Sequence, residues 1–164
     1  MSVIRQDDFI DSVADALQFI SYYHPLDFVK AVNEAYEREQ NPAARDAMAQ
    51  ILINSRMCAE GHRPICQDTG IVTVFLKIGM DVQWDAELSV SDMVNEGVRR
   101  AYTHPDNVLR ASILEDPAGA RRNTKDNTPA VIHMEVVKGD TVDVQLAAKG
   151  GGSENKSKLV MLEH

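Results

Sequence analysis

Residues 63–78 read Arg63-Pro64-Ile65-Cys66-Gln67-Asp68-Thr69-Gly70-Ile71-Val72-Thr73-Val74-Phe75-Leu76-Lys77-Ile78. The first half sets a thiol, an amide, a carboxylate and a hydroxyl in consecutive positions between Pro64 and Gly70. A turn uses proline's fixed φ and glycine's tolerance of positive φ, but it has no need of Cys66, Gln67 and Asp68 between them. The second half is rich in β-branched residues and apolar at odd and even positions alike, which predicts a strand buried on both faces. The stretch is therefore a helix-to-strand connection that carries chemical groups.

Upstream of it the period is helical. Ile10, Val13, Leu17 and Ile20 share one face and predict a first helix, which His24-Pro25 ends. A second helix starts with Pro25 near its first turn and is expected to bury Val29, Val32 and Tyr36, with Phe28 beside them. Asn41-Pro42 is a cap followed by a first-turn proline, opening a third helix with Ala44, Met48, Ile51 and Leu52 inward and Gly61 as its stop.

Downstream, Ser89 and Asp92 stand in capping-box spacing before Val90, Val94, Val98 and Ala101, predicting a helix that ends before His104-Pro105. Residues 106–128 are polar and aperiodic, a length that in a compact domain marks a functional or mobile segment. Residues 130–137 and 141–148 then read as two strands joined by Lys138-Gly139-Asp140, a hairpin signal. The expected fold is α+β: N-terminal helices packed with a mixed β-sheet that includes a C-terminal hairpin. Residues 1–161 form one domain in this reading, the N-terminal part of a larger catalytic region. Leu162-Glu163-His164 breaks off an apolar segment and matches the start of an expression tag.

Bulk properties narrow the class. The chain has 164 residues, 44% hydrophobic and 26% charged, as in a globular domain with a real core. A formal net charge of -8 and the lack of a basic run argue against nucleic acid and anionic membrane as partners. No apolar leader or membrane-length apolar run is visible, so the expected location is cytoplasmic. Two cysteines are too few for a disulfide scaffold, and the Cys58/Cys66 spacing matches no common zinc pair.

Each candidate site has a bland alternative. Lys149-Gly150-Gly151-Gly152-Ser153-Glu154-Asn155-Lys156-Ser157 approaches a phosphate-binding loop, but Asn155 stands where a glycine precedes the lysine in that pattern. A plain flexible loop is one alternative; the favoured one is a glycine loop whose backbone amides approach a carboxylate or other small anion. Cys66 alone reads as a buried, inert thiol more readily than as a ligand; beside Gln67 and Asp68 in a connection bracketed by Pro64 and Gly70 the two readings stand about even, and Cys58 is read as a half-buried helical cysteine. Arg110 follows apolar Val108-Leu109 and is the preferred carboxylate-binding guanidinium, whereas Arg121 and Arg122 are read as solvated. His24, His62, His104 and His133 show no metal-ligand spacing.

Taken together, Asn54-Ser55-Arg56-Met57, the segment from Arg63 to Gly70, Leu109-Arg110, Asn123-Thr124, Asn127-Thr128-Pro129-Ala130 and Lys149-Gly150-Gly151-Gly152-Ser153-Glu154-Asn155 resemble the N-terminal part of class I fumarate hydratases. The tartrate dehydratase α subunits share these motifs. The resemblance implies a hydro-lyase that reversibly hydrates fumarate to malate and carries a four-iron four-sulfur cluster on three cysteines. It implies that Cys66 is one ligand; the other two lie downstream in the family, and this sequence has no cysteine after Cys66. It further implies that Gln67 and Asp68 contact a small dicarboxylate substrate, with Asp68 as acid/base group. Arg110 would clamp a carboxylate, and Gly150 and Gly151 would offer backbone contacts. The implied partners are the remainder of the same enzyme and a second copy in a homodimer; the 164 residues alone are expected to be inactive and to lack the cluster. The alternatives are a tartrate or other hydroxy-diacid dehydratase, and a non-catalytic anion-binding module.

Overall fold

The computed structural model describes residues 2–106, 109–152 and 158–162. It is α+β, as expected. The elements are β1 (Val3–Arg5), α1 (Gln6–Tyr22), α2 (Leu26–Arg38), α3 (Pro42–Gly61), β2 (Ile71–Gly79), β3 (Gln83–Asp85), α4 (Val90–Thr103), β4 (Leu114–Glu115), β5 (Arg122–Asn123), β6 (Val131–Val137) and β7 (Val142–Lys149).

The local signals act where they were expected. Asn41 Oδ1 accepts from the N–H groups of Ala43 and Ala44 and so caps α3, with Pro42 in its first turn. Ser89 Oγ accepts from the Asp92 N–H at 3.1 Å and caps α4. At the other end of α3, however, the left-handed residue is His62, at φ 45, and Gly61 is the last helical residue. His62 holds that position with its ring stacked on Tyr22 and bonded to the Tyr23 hydroxyl at 3.0 Å.

The central sheet has the order β6-β2-β7, with β2 parallel to β6 and antiparallel to β7. The two C-terminal strands and their tight connection are present, but both ladders run to β2, which lies between them. The tip of β2 is driven into the connection: Gly79 N–H donates to Thr141 O, Met80 N–H to Val137 O and Asp81 N–H to Gly139 O, each at 2.9 Å. A Cβ on Gly79 would lie 2.3 Å from the Gly139 carbonyl oxygen, so only glycine fits there.

One face of this sheet meets α1 and α4. Val72, Val74 and Leu76 of β2 join Ile10, Val13 and Leu17 of α1 and Met93, Val94 and Val98 of α4 in the core. Gly97 makes the α1–α4 crossing close, since a Cβ there would sit 2.7 Å from the Val13 side chain. The expectation of a strand buried on both faces is corrected by the odd-numbered positions: Ile71 and Phe75 are 41% and 47% exposed, because no element of the described residues covers that side. Phe75 stacks instead on its cross-strand neighbour His133. A second correction concerns α2. It packs on α3, but with no element of the described residues on its far side Val29, Val32 and Tyr36 are only half-buried and Phe28 is exposed. The aperiodic 106–128 segment contains a two-strand ladder, Leu114 opposite Asn123 and Glu115 opposite Arg122.

Candidate functional site

The connection from α3 to β2 is anchored at both ends. Its first half is tied to helices: Ile65 N–H donates to Ser21 O of α1 at 2.9 Å, and Asn54 Nδ2 of α3 donates to Ile65 O at 3.2 Å. Its second half is tied to the Arg110 loop, to α4 and to the end of β7. Thr69 is buried, its hydroxyl donating to the Arg110 carbonyl and its own carbonyl accepting from the Tyr102 hydroxyl at 3.2 Å. Gly70 adopts φ 75, and a Cβ there would lie 2.3 Å from the backbone of Lys149 and 2.6 Å from the Gly150 nitrogen. Glycine at 70 thus lets the motif press against the end of β7.

That close approach brings Asp68 to the glycine loop. Asp68 Oδ1 accepts from the Gly70 N–H at 3.0 Å, and Oδ2 accepts from the Gly151 N–H at 2.8 Å. Gly150 is adjacent: a Cβ there would lie 3.4 Å from Asp68 Oδ2. A glycine loop whose amide meets a carboxylate was the favoured sequence reading, and here the carboxylate belongs to the chain itself. Residues 153–157 of that loop, including Asn155 and Lys156, lie outside the described residues.

The two cysteines differ sharply. Cys66 is exposed and borders a cavity of about 200 Å³ lined also by Ser21, Ile65, Asp68, Thr69 and Ala148. Cys58 is buried, with its sulfur 3.5 Å from the Pro64 carbonyl and 3.7 Å from Asn54 Oδ1, consistent with a thiol donating to oxygen. Gln67 is exposed beside Cys66. Arg110 is held by its backbone next to Thr69, while its side chain is exposed and forms no ion pair among the described residues. The sequence-predicted residues 66–68, 110 and 150–151 therefore converge on one region, although they are far apart in the chain.

Sequence reasoning missed the groups that hold this region together. Asn127 is fully buried at φ 61, donating from Nδ2 to Gly70 O at 3.0 Å and accepting at Oδ1 from the Ser112 N–H at 2.7 Å. Tyr102 contributes the contact to Thr69 from α4; burial, with the Asp68 charge adding to it, holds its phenol above the usual value of 10.0. Asparagine's tolerance of positive φ was a signal in principle, but three asparagines or glycines in 119–127 carry it equally. A larger cavity of about 780 Å³ lies between α1 and α4, lined by Phe19, Tyr22, Tyr23, His62, Arg100 and His104, and contains none of the predicted site residues.

An iron–sulfur cluster needs several thiolates. Among the described residues no group of three or more His, Cys, Asp or Glu side chains converges to hold a metal ion. With Cys58 turned into the protein, this chain offers one accessible thiol, Cys66, which fits a single ligand position and not a complete cradle.

The chain belongs to the fumarate hydratase (Fumerase) family, whose sequence profile matches residues 10–164. Within that family it is similar to proteins of two names. It is 30% identical over 158 residues to the "Putative L(+)-tartrate dehydratase subunit alpha" of Methanocaldococcus jannaschii, covering 93% of this chain and 54% of the relative. It is 33% identical over 138 residues to the "Putative fumarate hydratase class I" of Geobacillus stearothermophilus, covering 81% and 25%. It is 36% identical over 110 residues to the anaerobic class I fumarate hydratase of Escherichia coli, covering 67% and 20%. The chain thus spans about half the length of the tartrate dehydratase subunit and a quarter or less of the fumarate hydratases.

Proposed function

We propose that this chain is the N-terminal part of a cytoplasmic iron–sulfur hydro-lyase that interconverts fumarate and malate, and that it needs the remainder of the enzyme to act. The observation that carries the reading is the convergence of Asp68, the Arg110 backbone and Gly151 beside the exposed Cys66 thiol. Family membership supplies the reaction class. Hydration of an unsaturated dicarboxylate requires a proton to be moved at carbon and negative charge to be held at both ends of the substrate. In this reading Asp68 is the proton-handling group, and Gln67 orients the substrate. Arg110 takes one carboxylate, and the Gly150 and Gly151 amides take polar oxygens of the other end. Cys66 is one ligand of the four-iron four-sulfur cluster, which when bound supplies a Lewis acid for the substrate's hydroxyl and carboxylate. The enzyme works as a homodimer.

The test is to extend the chain to the length of its relatives, reconstitute it anaerobically and assay it. A stable protein with neither visible iron–sulfur absorption nor fumarate-dependent turnover would falsify the reading. Turnover of tartrate in preference to fumarate would establish the second reading, a tartrate dehydratase. That reading is favoured by the longest of these alignments, which is to the tartrate dehydratase subunit. An open reading frame ending near Leu162 in a protein that binds dicarboxylates without turnover would support a self-contained anion-binding module instead.

A further inference from the structure

Among the described residues Asn127 is the one polar side chain in the set of largest fully buried residues, and both ends of its carboxamide are used. They do not serve the same segment. Nδ2 holds the carbonyl of Gly70, which closes the Cys66–Gly70 motif, and Oδ1 holds the N–H of Ser112, two residues beyond Arg110. The same two segments meet again where the Thr69 hydroxyl donates to the Arg110 carbonyl. Two separate hydrogen-bonded links therefore span from the Asp68 side of the site to the Arg110 side.

Asn127 is itself fixed to a rigid element. Its predecessor Asp126 accepts from Arg99 Nε of α4 at 3.1 Å and from the Thr128 N–H and hydroxyl at 3.0 and 2.8 Å. Beyond it, the Ala130 N–H donates to Asn95 Oδ1, also of α4, at 2.9 Å. The turn carrying Asn127 is thus bolted to a helix whose Val94 and Val98 lie in the core. A buried carboxamide with both ends satisfied has few alternative positions, because any shift strands a donor or an acceptor away from water.

We infer that Asn127 is a positioning residue: it transmits the rigidity of α4 to both walls of the site and fixes the spacing between Asp68, held on the Gly70 side, and Arg110. The inference rests on the reading of the site given above, since a fixed spacing matters for a ligand with charged groups at two ends.

The test uses the 164-residue chain without substrate or cluster, read by residue-resolved amide hydrogen exchange, so that its outcome is separate from that of the turnover assay. Asn127→Gly keeps the φ 61 backbone accessible while removing both carboxamide hydrogen bonds and leaving the Thr69–Arg110 link in place. The expected result is exchange at least about tenfold faster at Ser112, Gly70 and Gly151, with the Val74 and Leu76 amides of β2 unchanged. Asn127→Asp, ionised, retains an acceptor for Ser112 but loses the donor to Gly70. It should leave Ser112 protected while Gly70 and Gly151 speed up. Faster exchange at Ser112 alone in the glycine variant would overturn the inference, reducing Asn127 to a brace of its own loop. A uniform acceleration that includes Val74 and Leu76 would also overturn it, in favour of general stability; if the glycine variant fails to fold, the aspartate variant decides by the same comparison.

Discussion

Asp68 and Gly151, 83 residues apart in the chain, meet through a 2.8 Å hydrogen bond from the Gly151 N–H to the carboxylate. The other carboxylate oxygen serves Gly70. In this arrangement Asp68 accepts one hydrogen bond on each carboxylate oxygen, and each oxygen keeps a further lone pair, so these structural bonds are compatible with the proposed proton-handling role. The glycine loop and the acid are thus joined directly to each other.

Replacement of Asp68 by alanine tests both roles. It leaves the Gly70 and Gly151 N–H groups without their acceptor, and Gly70 is buried. Stability of the chain in urea should fall by about 1–3 kcal/mol. In the extended, cluster-loaded enzyme kcat should fall at least about 100-fold, the usual lower bound for a proton-transfer group. Unchanged kcat would remove Asp68 from the chemistry while leaving its structural part intact.

Gly70→Ala should be costlier than an ordinary glycine substitution. A side chain at φ 75 costs about 1–2 kcal/mol by itself, and the 2.3 Å approach to the Lys149 backbone adds a clash with atoms that cannot rotate away. Chemical denaturation should show a loss of more than about 2 kcal/mol. Gly139→Ala, also at positive φ but with open space around it, should lose only the conformational part.

Thiol labelling under native conditions should find one fast cysteine. Cys66 is exposed and Cys58 is buried, so a bulky aromatic disulfide reagent should modify one equivalent quickly and the second only as the chain opens. Cys66→Ser should abolish the fast phase. Two fast equivalents in the unmodified chain would contradict the packing of Cys58 against Pro64 and Asn54.

What the sequence made legible was whatever rests on neighbours in the chain. The Asn41 and Ser89 caps were readable because their hydrogen bonds span two or three residues. The site residues 66–68, 110 and 150–151 were named from motif resemblance, and their convergence follows from sheet pairing that no local pattern encodes. The order β6-β2-β7 was not legible for the same reason: a short connection between two apolar strands signals a hairpin whether or not a third strand enters between them. Asn127 was invisible as a clamp because its partners, Gly70 and Ser112, are backbone groups, which every residue offers. The exposure of Phe28, Ile71 and Phe75 could not be read either, since an apolar residue records an affinity for burial and not the element that supplies it.

The two faces of β2 give a direct measure of that last point. Leu76 is 1% exposed, whereas Phe75 is 47% exposed and stacks on His133. Leu76→Ala should cost about 2–5 kcal/mol and Phe75→Ala about 1 kcal/mol or less in the isolated chain. A large cost for Phe75 would place a covering element over the outer face in solution.

Asp126 makes the stability of the α4–site connection depend on acid. Burial pushes its carboxyl up, but the Thr128 N–H and hydroxyl and the Arg99 guanidinium outweigh this and hold it below its ordinary 3.8. A carboxyl lowered on folding contributes stability that is present above the unfolded-state value and lost as the pH falls through the folded-state value. Asp126→Asn should therefore cost about 1 kcal/mol or less at neutral pH, since Arg99 is partly exposed and its share is screened. The gap between parent and variant should close as the pH is taken below 3.8. Urea denaturation of both chains across pH 2 to 7 checks it; a constant gap over that range would mean that the Asp126 charge takes no part in holding residues 126–130 to α4.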